Sequence, residues 1–200
     1  KIFKLGANST AKFYQYNPAT DAWAEKKLVG DGTGQTYTCT AGAAIYYPEA
    51  GNKVYVYTGD ANDKFLEYDL DSTNWAVRED PPTEIGSEQT AMISTGDGYL
   101  YIYDNTIMDY LYRYHIAKKK FDVPYYLPVT LNAYGTMCGY KGNTYFVPGS
   151  TDAFYRYNIV ANKWDTMAVA PIPFPSYNPA LADTEYQGSV FIFATGGINR

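Results

Sequence analysis

The chain has 200 residues, 21 acidic and 16 basic, for a net charge of -5. That balance argues against nucleic-acid binding, which relies on clustered Lys and Arg, and no run of about 18 apolar residues is present to span a membrane as a helix. Aromatic residues make up 18%, and 23 residues are Tyr. Aromatics favour the pleated, half-buried surface of strands, and Gly and Pro are spread along the chain as frequent turns require. No segment of ten or more residues carries helical periodicity, so the sequence predicts an all-β protein.

In chain order, residues 2–5 read as a hydrophobic strand and residues 13–16 as an aromatic one, followed by Trp23. Residues 43–46 are small and apolar. A turn at Gly51 then leads to the hydrophobic run 54–57, the aromatic strand 65–68 and Trp75. The same order returns as 90–93, Gly98, 100–103, 111–114 and Phe121, and again as 135–138, Gly142, 144–147, 154–157 and Trp164. It ends with 179–182, Gly188 and 190–193. The last Tyr of the aromatic strand recurs at 16, 68, 114 and 157, separations of 52, 46 and 43 residues.

The unit is thus four short strands, labelled A to D, and short strands with regular turn signals argue for antiparallel sheets. A four-stranded unit at this period matches a propeller blade. Small residues on A suit a crowded innermost position, and large rings on B, C and D suit a widening gap between sheets. Strand B reads as a continuous apolar run, as a strand covered on both faces does.

The unit resembles the kelch repeat. The resemblance rests on Tyr16-Asn17 with Trp23, Tyr68-Asp69 with Trp75, Tyr157-Asn158 with Trp164, and on Thr195-Gly196-Gly197 closing the last strand B. It covers essentially the whole chain. It departs at the glycine pair, which reads Gly59-Asp60, Asp104-Asn105 and Gly149-Ser150 in the other repeats, and at Phe121 in place of Trp. The resemblance implies a kelch-like β-propeller of four-stranded antiparallel blades. About 4.5 are present, at roughly 1–30, 38–80, 88–125, 133–170 and 178–197, in a single region spanning 1–200. Strand B at both ends, an opening at Lys1 without Met, and an end soon after an apolar strand predict a processed chain or a piece of a larger or oligomer-completed assembly.

The loops between strands B and C carry the candidate ligand-binding residues: Asn8, then Asp60, Asn62 and Asp63, then Asp104 and Asn105, then Asp152. In kelch propellers the face holding these loops and the D–A connections is often the binding surface. Paired carboxylates there would suit glycoside hydrolysis at separations of about 5–10 Å. Turn chemistry explains the same residues, because Asp and Asn hydrogen-bond the local backbone. No loop has EF-hand spacing. Asn8-Ser9-Thr10 is a glycosylation sequon and, with few Lys, tilts the chain toward an extracellular setting.

His115 is the only histidine. It aligns with Asn17, Asp69 and Asn158 at the start of the C–D turn, which predicts a turn-shaping role. The kelch-like enzyme galactose oxidase holds copper with two His and two Tyr, a set this chain lacks. No metal or cofactor is expected. Gly30-Asp31-Gly32-Thr33-Gly34 precedes no helix, as phosphate binding would require. Lys118-Lys119-Lys120 reads as a solvated turn. Arg113 and Arg156, mid-strand C, are expected to pair with Glu67 between repeats. Cys39 and Cys138 fall in non-adjacent repeats and read as buried thiols.

The sequence therefore predicts a non-catalytic propeller that binds protein or carbohydrate partners, and that can form homo-oligomers by strand addition at open blades. The alternatives are a carbohydrate-active enzyme using loop carboxylates, and a fragment of a larger multidomain kelch protein.

Overall fold

The computed structural model describes residues 1–6, 9–48, 51–59, 62–83, 85, 90–104, 110–127, 135–174, 180–186 and 189–195, without the side chains of 104, 180 and 182–195. Among them, every regular element is a β-strand. In order these are β1 (Ile2–Leu5), β2 (Phe13–Asn17), β3 (Ala22–Glu25), β4 (Ala44–Tyr46), β5 (Lys53–Tyr57), β6 (Phe65–Asp69), β7 (Asn74–Val77), β8 (Thr90–Ile93) and β9 (Tyr99–Asp104). Then follow β10 (Tyr110–His115), β11 (Lys120–Phe121), β12 (Tyr125–Tyr126), β13 (Gly135–Tyr140), β14 (Asn143–Pro148), β15 (Tyr155–Asn158), β16 (Lys163–Thr166), β17 (Ala180–Tyr186) and β18 (Ser189–Thr195). The chain divides into two compact units, Lys1–Thr90 with Lys119–Phe121, and Ala91–Lys118 with Asp122–Arg200.

The first unit contains the sheets β1-β2-β3 and β4-β5-β6-β7, both antiparallel and in sequence order. These are the expected strands B-C-D and A-B-C-D. Strand β5 is buried at four of its five positions, as its unbroken apolar run requires. Innermost strands β1 and β4 of the two sheets adjoin. The core between them is Phe13, Val29, Cys39, Val54, Val56, Leu66, Tyr68 and Trp75, flanked by Phe3, Leu5, Tyr37 and Ile45. Burying an aliphatic or aromatic side chain of this size contributes about 1.5–3 kcal/mol, so this cluster is a large part of the hydrophobic stabilisation of the unit.

The second unit contains β8, β9 and β10 as sheet neighbours, the four-stranded sheet β13-β14-β15-β16, and the pair β17-β18, where β13 adjoins β17. Strand β12 was not expected. It lies within the third D–A connection and pairs with β10 through Tyr110↔Tyr126 and Leu111↔Tyr125. Strands β17 and β18 run longer than the expected 179–182 and 190–193. Gly188 and the Gly196-Gly197 pair lie outside the described residues.

The C–D turn is the most regular feature. In each repeat it has four residues: 18–21, 70–73, 116–119 and 159–162. Its last residue has positive φ: Asp21 (48°), Thr73 (54°), Lys119 (57°) and Asn162 (49°). The residue opening the turn accepts a backbone N–H in every repeat. Asn17 Oδ1 receives Ala19 at 3.0 Å, Asp69 Oδ1 receives Asp71 and Ser72, His115 Nδ1 receives Lys118 at 3.4 Å, and Asn158 Oδ1 receives Ala161 at 2.9 Å. His115 thus occupies the turn position the alignment assigns it, and Lys118, Lys119 and Lys120 are exposed beside it.

The register then places Tyr16 opposite Trp23, Tyr68 opposite Trp75 and Tyr157 opposite Trp164, with ring centroids 5.2, 4.8 and 5.0 Å apart. Cross-strand aromatic pairs of this kind are a unit of sheet stabilisation.

The expected pairing of Arg113 and Arg156 with Glu67 is not observed. Arg113 bonds Asp122 at 2.8 Å and Arg156 bonds Asp165 at 2.8 Å, each across its own C–D hairpin. Glu67 faces Ala76 across the hairpin. Its carboxylate instead takes both oxygens to Arg78, at 3.1 and 3.0 Å, and meets Lys53 at 3.0 Å. Local register decides these pairs, because a partner two strand positions away is closer than one in another sheet. Cys39 and Cys138 are both buried, and neither is in a disulfide.

Candidate functional site

In each unit the B–C loop and the D–A connection are hydrogen-bonded to one another and so share one face. In the first unit the Cys39 amide donates to Thr10 at 3.0 Å and the Thr40 amide to Thr58 at 2.9 Å. In the second, the Ala170 amide donates to Asp152 at 2.8 Å and the Phe174 amide to Thr151 at 2.7 Å. Backbone pairing of this kind holds both loops without regular secondary structure, since buried N–H groups must find acceptors.

On the first unit this face contains a cleft of about 460 Å³, lined by Leu5, Gly6, Ser9, Cys39, Thr40, Ala41, Ala43 and Ile45. Its walls depend on two glycines. Gly6 stands where a Cβ would lie 2.2 Å from Thr10 Oγ1. Gly59 has φ of +86°, and a Cβ there would lie 2.3 Å from the Ala41 carbonyl oxygen. Gly59 therefore lets the B–C loop of the second repeat press against the floor of the cleft. Behind Gly6, Thr10 Oγ1 is buried and has no hydrogen-bond partner among the described residues.

Among the described residues, the chemistry of the cleft is neutral. Ser9 and Thr40 supply hydroxyls, the backbone supplies amides and carbonyls, and Leu5, Ala43 and Ile45 supply apolar surface. Among the described lining residues Cys39 is the only titratable side chain, and burial pushes its thiol up to about 11. A thiol held there is protonated near neutral pH and is not a nucleophile. Sequence reasoning did not find this lining. Gly59, noted only as half of a broken glycine pair, was the available signal.

The sequence-predicted residues are distributed as follows. Asn62 and Asp63 lie in the B–C loop of the second repeat. The Asn62 side-chain amide donates to the Thr38 carbonyl at 2.9 Å, and Asp63 accepts the Tyr57 hydroxyl. Tyr57 Oη also lies 2.8 Å from the Ile85 carbonyl. Asp152 is exposed in the B–C loop of the fourth repeat and offers its backbone carbonyl to Ala170. Asp104 ends β9, and its side chain lies outside the described residues, as do Asn8, Asp60 and Asn105 entirely. The structure thus brings Asn62 and Asp63 together, tied to the neighbouring loop. The Gly30–Gly34 segment forms a closed turn in which Asp31 accepts the amides of Thr33, Gly34 and Gln35.

Among the described residues, no group of three or more His, Cys, Asp or Glu is placed to hold a metal ion. Among these residues, too, no helix is long and apolar enough to cross a membrane.

The chain is similar in fold to the solved structure of YjhT, a β-propeller-like protein, with a TM-score of 0.63 at 11% sequence identity. The match covers 86% of this chain and 63% of YjhT, so the chain spans under two thirds of that protein's length. No protein-family model matches the sequence, and no curated protein matches it.

Proposed function

We propose that this chain is a run of kelch-like propeller blades that works as a non-catalytic binding surface, and that its first-unit cleft takes a neutral, hydroxyl-rich ligand such as a saccharide. The sheet orders, the repeated C–D turn and the fold likeness support the blade reading. The observation that carries the binding reading is the lining itself. Among the described residues, it pairs hydroxyls and amides with small apolar surface. Binding sites of this kind fix orientation through a few polar groups and gain affinity from apolar contact.

The test is a glycan-array screen followed by calorimetry on any hit. Ala41 is exposed at the cleft rim. Ala41→Arg is expected to abolish binding while leaving the fold intact. Binding that survives this substitution places the ligand elsewhere. Hydrolysis of a bound glycan that is lost in Asp63→Asn would favour the carbohydrate-active alternative.

Self-assembly is a second reading, favoured by one comparison between repeats. Trp75 is 2% exposed, whereas Trp23 at the equivalent position is 51% exposed. Phe154 is likewise half-buried, where its equivalents Phe13, Phe65 and Leu111 are fully buried. A second copy seated on the first sheet would cover Trp23. Light scattering that finds only monomer across a wide concentration range removes this reading.

A further inference from the structure

Tyr110 and Tyr126 are cross-strand partners on β10 and β12. Their ring centroids are 4.9 Å apart with planes inclined at 50°, and their hydroxyl oxygens are 3.2 Å apart. Tyr126 is 69% exposed and Tyr110 is half-buried. Three other tyrosine pairs of the same unit differ in one respect. Tyr99–Tyr101, Tyr110–Tyr112 and Tyr125–Tyr157 are 6.4, 5.8 and 6.1 Å apart, and each has one fully buried ring. Tyr110 and Tyr126 combine contact at the phenol edge with access from solvent.

We propose that Tyr110 and Tyr126 form an oxidative modification site, at which a peroxidase-type oxidant with hydrogen peroxide couples the two rings into dityrosine. Each phenol gives up one electron and one proton, leaving a phenoxyl radical. The two radicals join by a carbon–carbon bond between ring positions ortho to the hydroxyls. The hydrogens on those two carbons move to the oxygens and restore both phenols. The two electrons and two protons released reduce one hydrogen peroxide to two waters. The hydroxyl contact and the 4.9 Å ring separation hold the two phenol edges together before oxidation. Coupling is then effectively unimolecular, and pre-positioned groups react far faster than groups that must meet by diffusion.

The consequence is structural. Strand β12 has only two residues, too few to hold itself firmly by backbone pairing. A covalent bond between positions 16 residues apart would staple it to β10 and restrict the unfolded chain as a disulfide does.

The experiment treats the dilute 200-residue chain with a peroxidase and limiting hydrogen peroxide. The expected product is a monomer lighter by two hydrogen atoms, with blue dityrosine fluorescence and a higher denaturation midpoint. Peptide mapping should join the Tyr110 and Tyr126 fragments. Tyr126→Phe, whose exposed ring leaves the fold undisturbed by circular dichroism, should eliminate this product, and Tyr110→Phe should do the same. Tyr16→Phe should retain it. The proposal is overturned by intermolecular cross-links alone, by a link mapped to other tyrosines, by a product that persists in either Phe variant, or by no dityrosine at all.

Discussion

The indole of Trp75 meets the ring of Phe13 edge-on, with centroids 5.1 Å apart and planes at 63°. Its N–H donates to the Lys27 carbonyl at 3.0 Å. Trp75 belongs to the second sheet, while Phe13 and Lys27 belong to the first repeat. One side chain therefore joins two sheets by apolar contact and also satisfies its own donor, as a buried indole must. The contact recurs where Phe121 meets Phe65 edge-on at 5.3 Å. In the second and third repeats, the aromatic seven residues after the last Tyr is thus a ring that packs on the repeat before it.

Phe13→Ala should destabilise the first unit by about 3–5 kcal/mol, the usual cost of deleting a buried aromatic. Trp23→Ala should cost clearly less, because that indole is half exposed and keeps only its cross-strand contact with Tyr16. Urea unfolding followed by fluorescence measures both. Equal effects would mean that burial does not distinguish the Phe13 and Trp23 rings.

Gly59→Ala should cost more than about 1 kcal/mol, because alanine is strained at positive φ and its methyl would strike the Ala41 carbonyl. Gly98→Ala has a similar φ of +88° but open space around it, so it isolates the backbone term. The difference between the two midpoints reports the steric term. No difference would mean that the cleft floor yields without cost.

Thr73 is a β-branched residue at φ of 54°. Thr73→Asn should stabilise the second repeat by about 1 kcal/mol, since Asn tolerates the left-handed region better. It would also offer the acceptor that Asp21 gives Tyr16 and Asn162 gives Tyr157. A lower thermal midpoint would refute the equivalence of these turns.

Burial works to raise the Glu67 carboxyl, but hydrogen bonds from Arg78 and Lys53 outweigh it and hold its pKa below the ordinary value. A carboxylate depressed in the folded state adds stability that is complete above its unfolded pKa, near about 4.3. That stability is lost as pH falls through the lower folded value. Glu67→Gln should therefore destabilise the protein at pH 7 and flatten the fall in stability below about pH 4. Parallel stability–pH curves for the two proteins would exclude the linkage.

Cys39 should stay unmodified by thiol reagents at pH 8 in the folded chain, because burial holds its thiol at about 11. It should react fully once the chain is unfolded in urea. Rapid native-state labelling at Cys39 would show that the cleft wall opens.

Strand identity, strand order and the C–D turn were all legible from residue pattern. Tyr16, Tyr68, Tyr114 and Tyr157 share one local rule, with a side-chain acceptor next in sequence and a left-handed residue five positions on. Such rules act over a few residues, so they are written in the sequence directly. Strand β12 was missed because two residues carry no periodicity, and its pairing with β10 is a tertiary event.

The chain's sequence alone determined that it would fold as short antiparallel strands paired in sequence order, because alternation, glycine placement and turn chemistry are local properties that each segment carries with it. Only the tertiary structure decided that Glu67 would turn to Arg78 and Lys53, that Thr40 and Ser9 would share a cleft with Cys39, and that Tyr110 would meet Tyr126. Those outcomes depend on distances between segments far apart in the chain. Such distances are set by register and by the packing of whole sheets, which no single segment encodes.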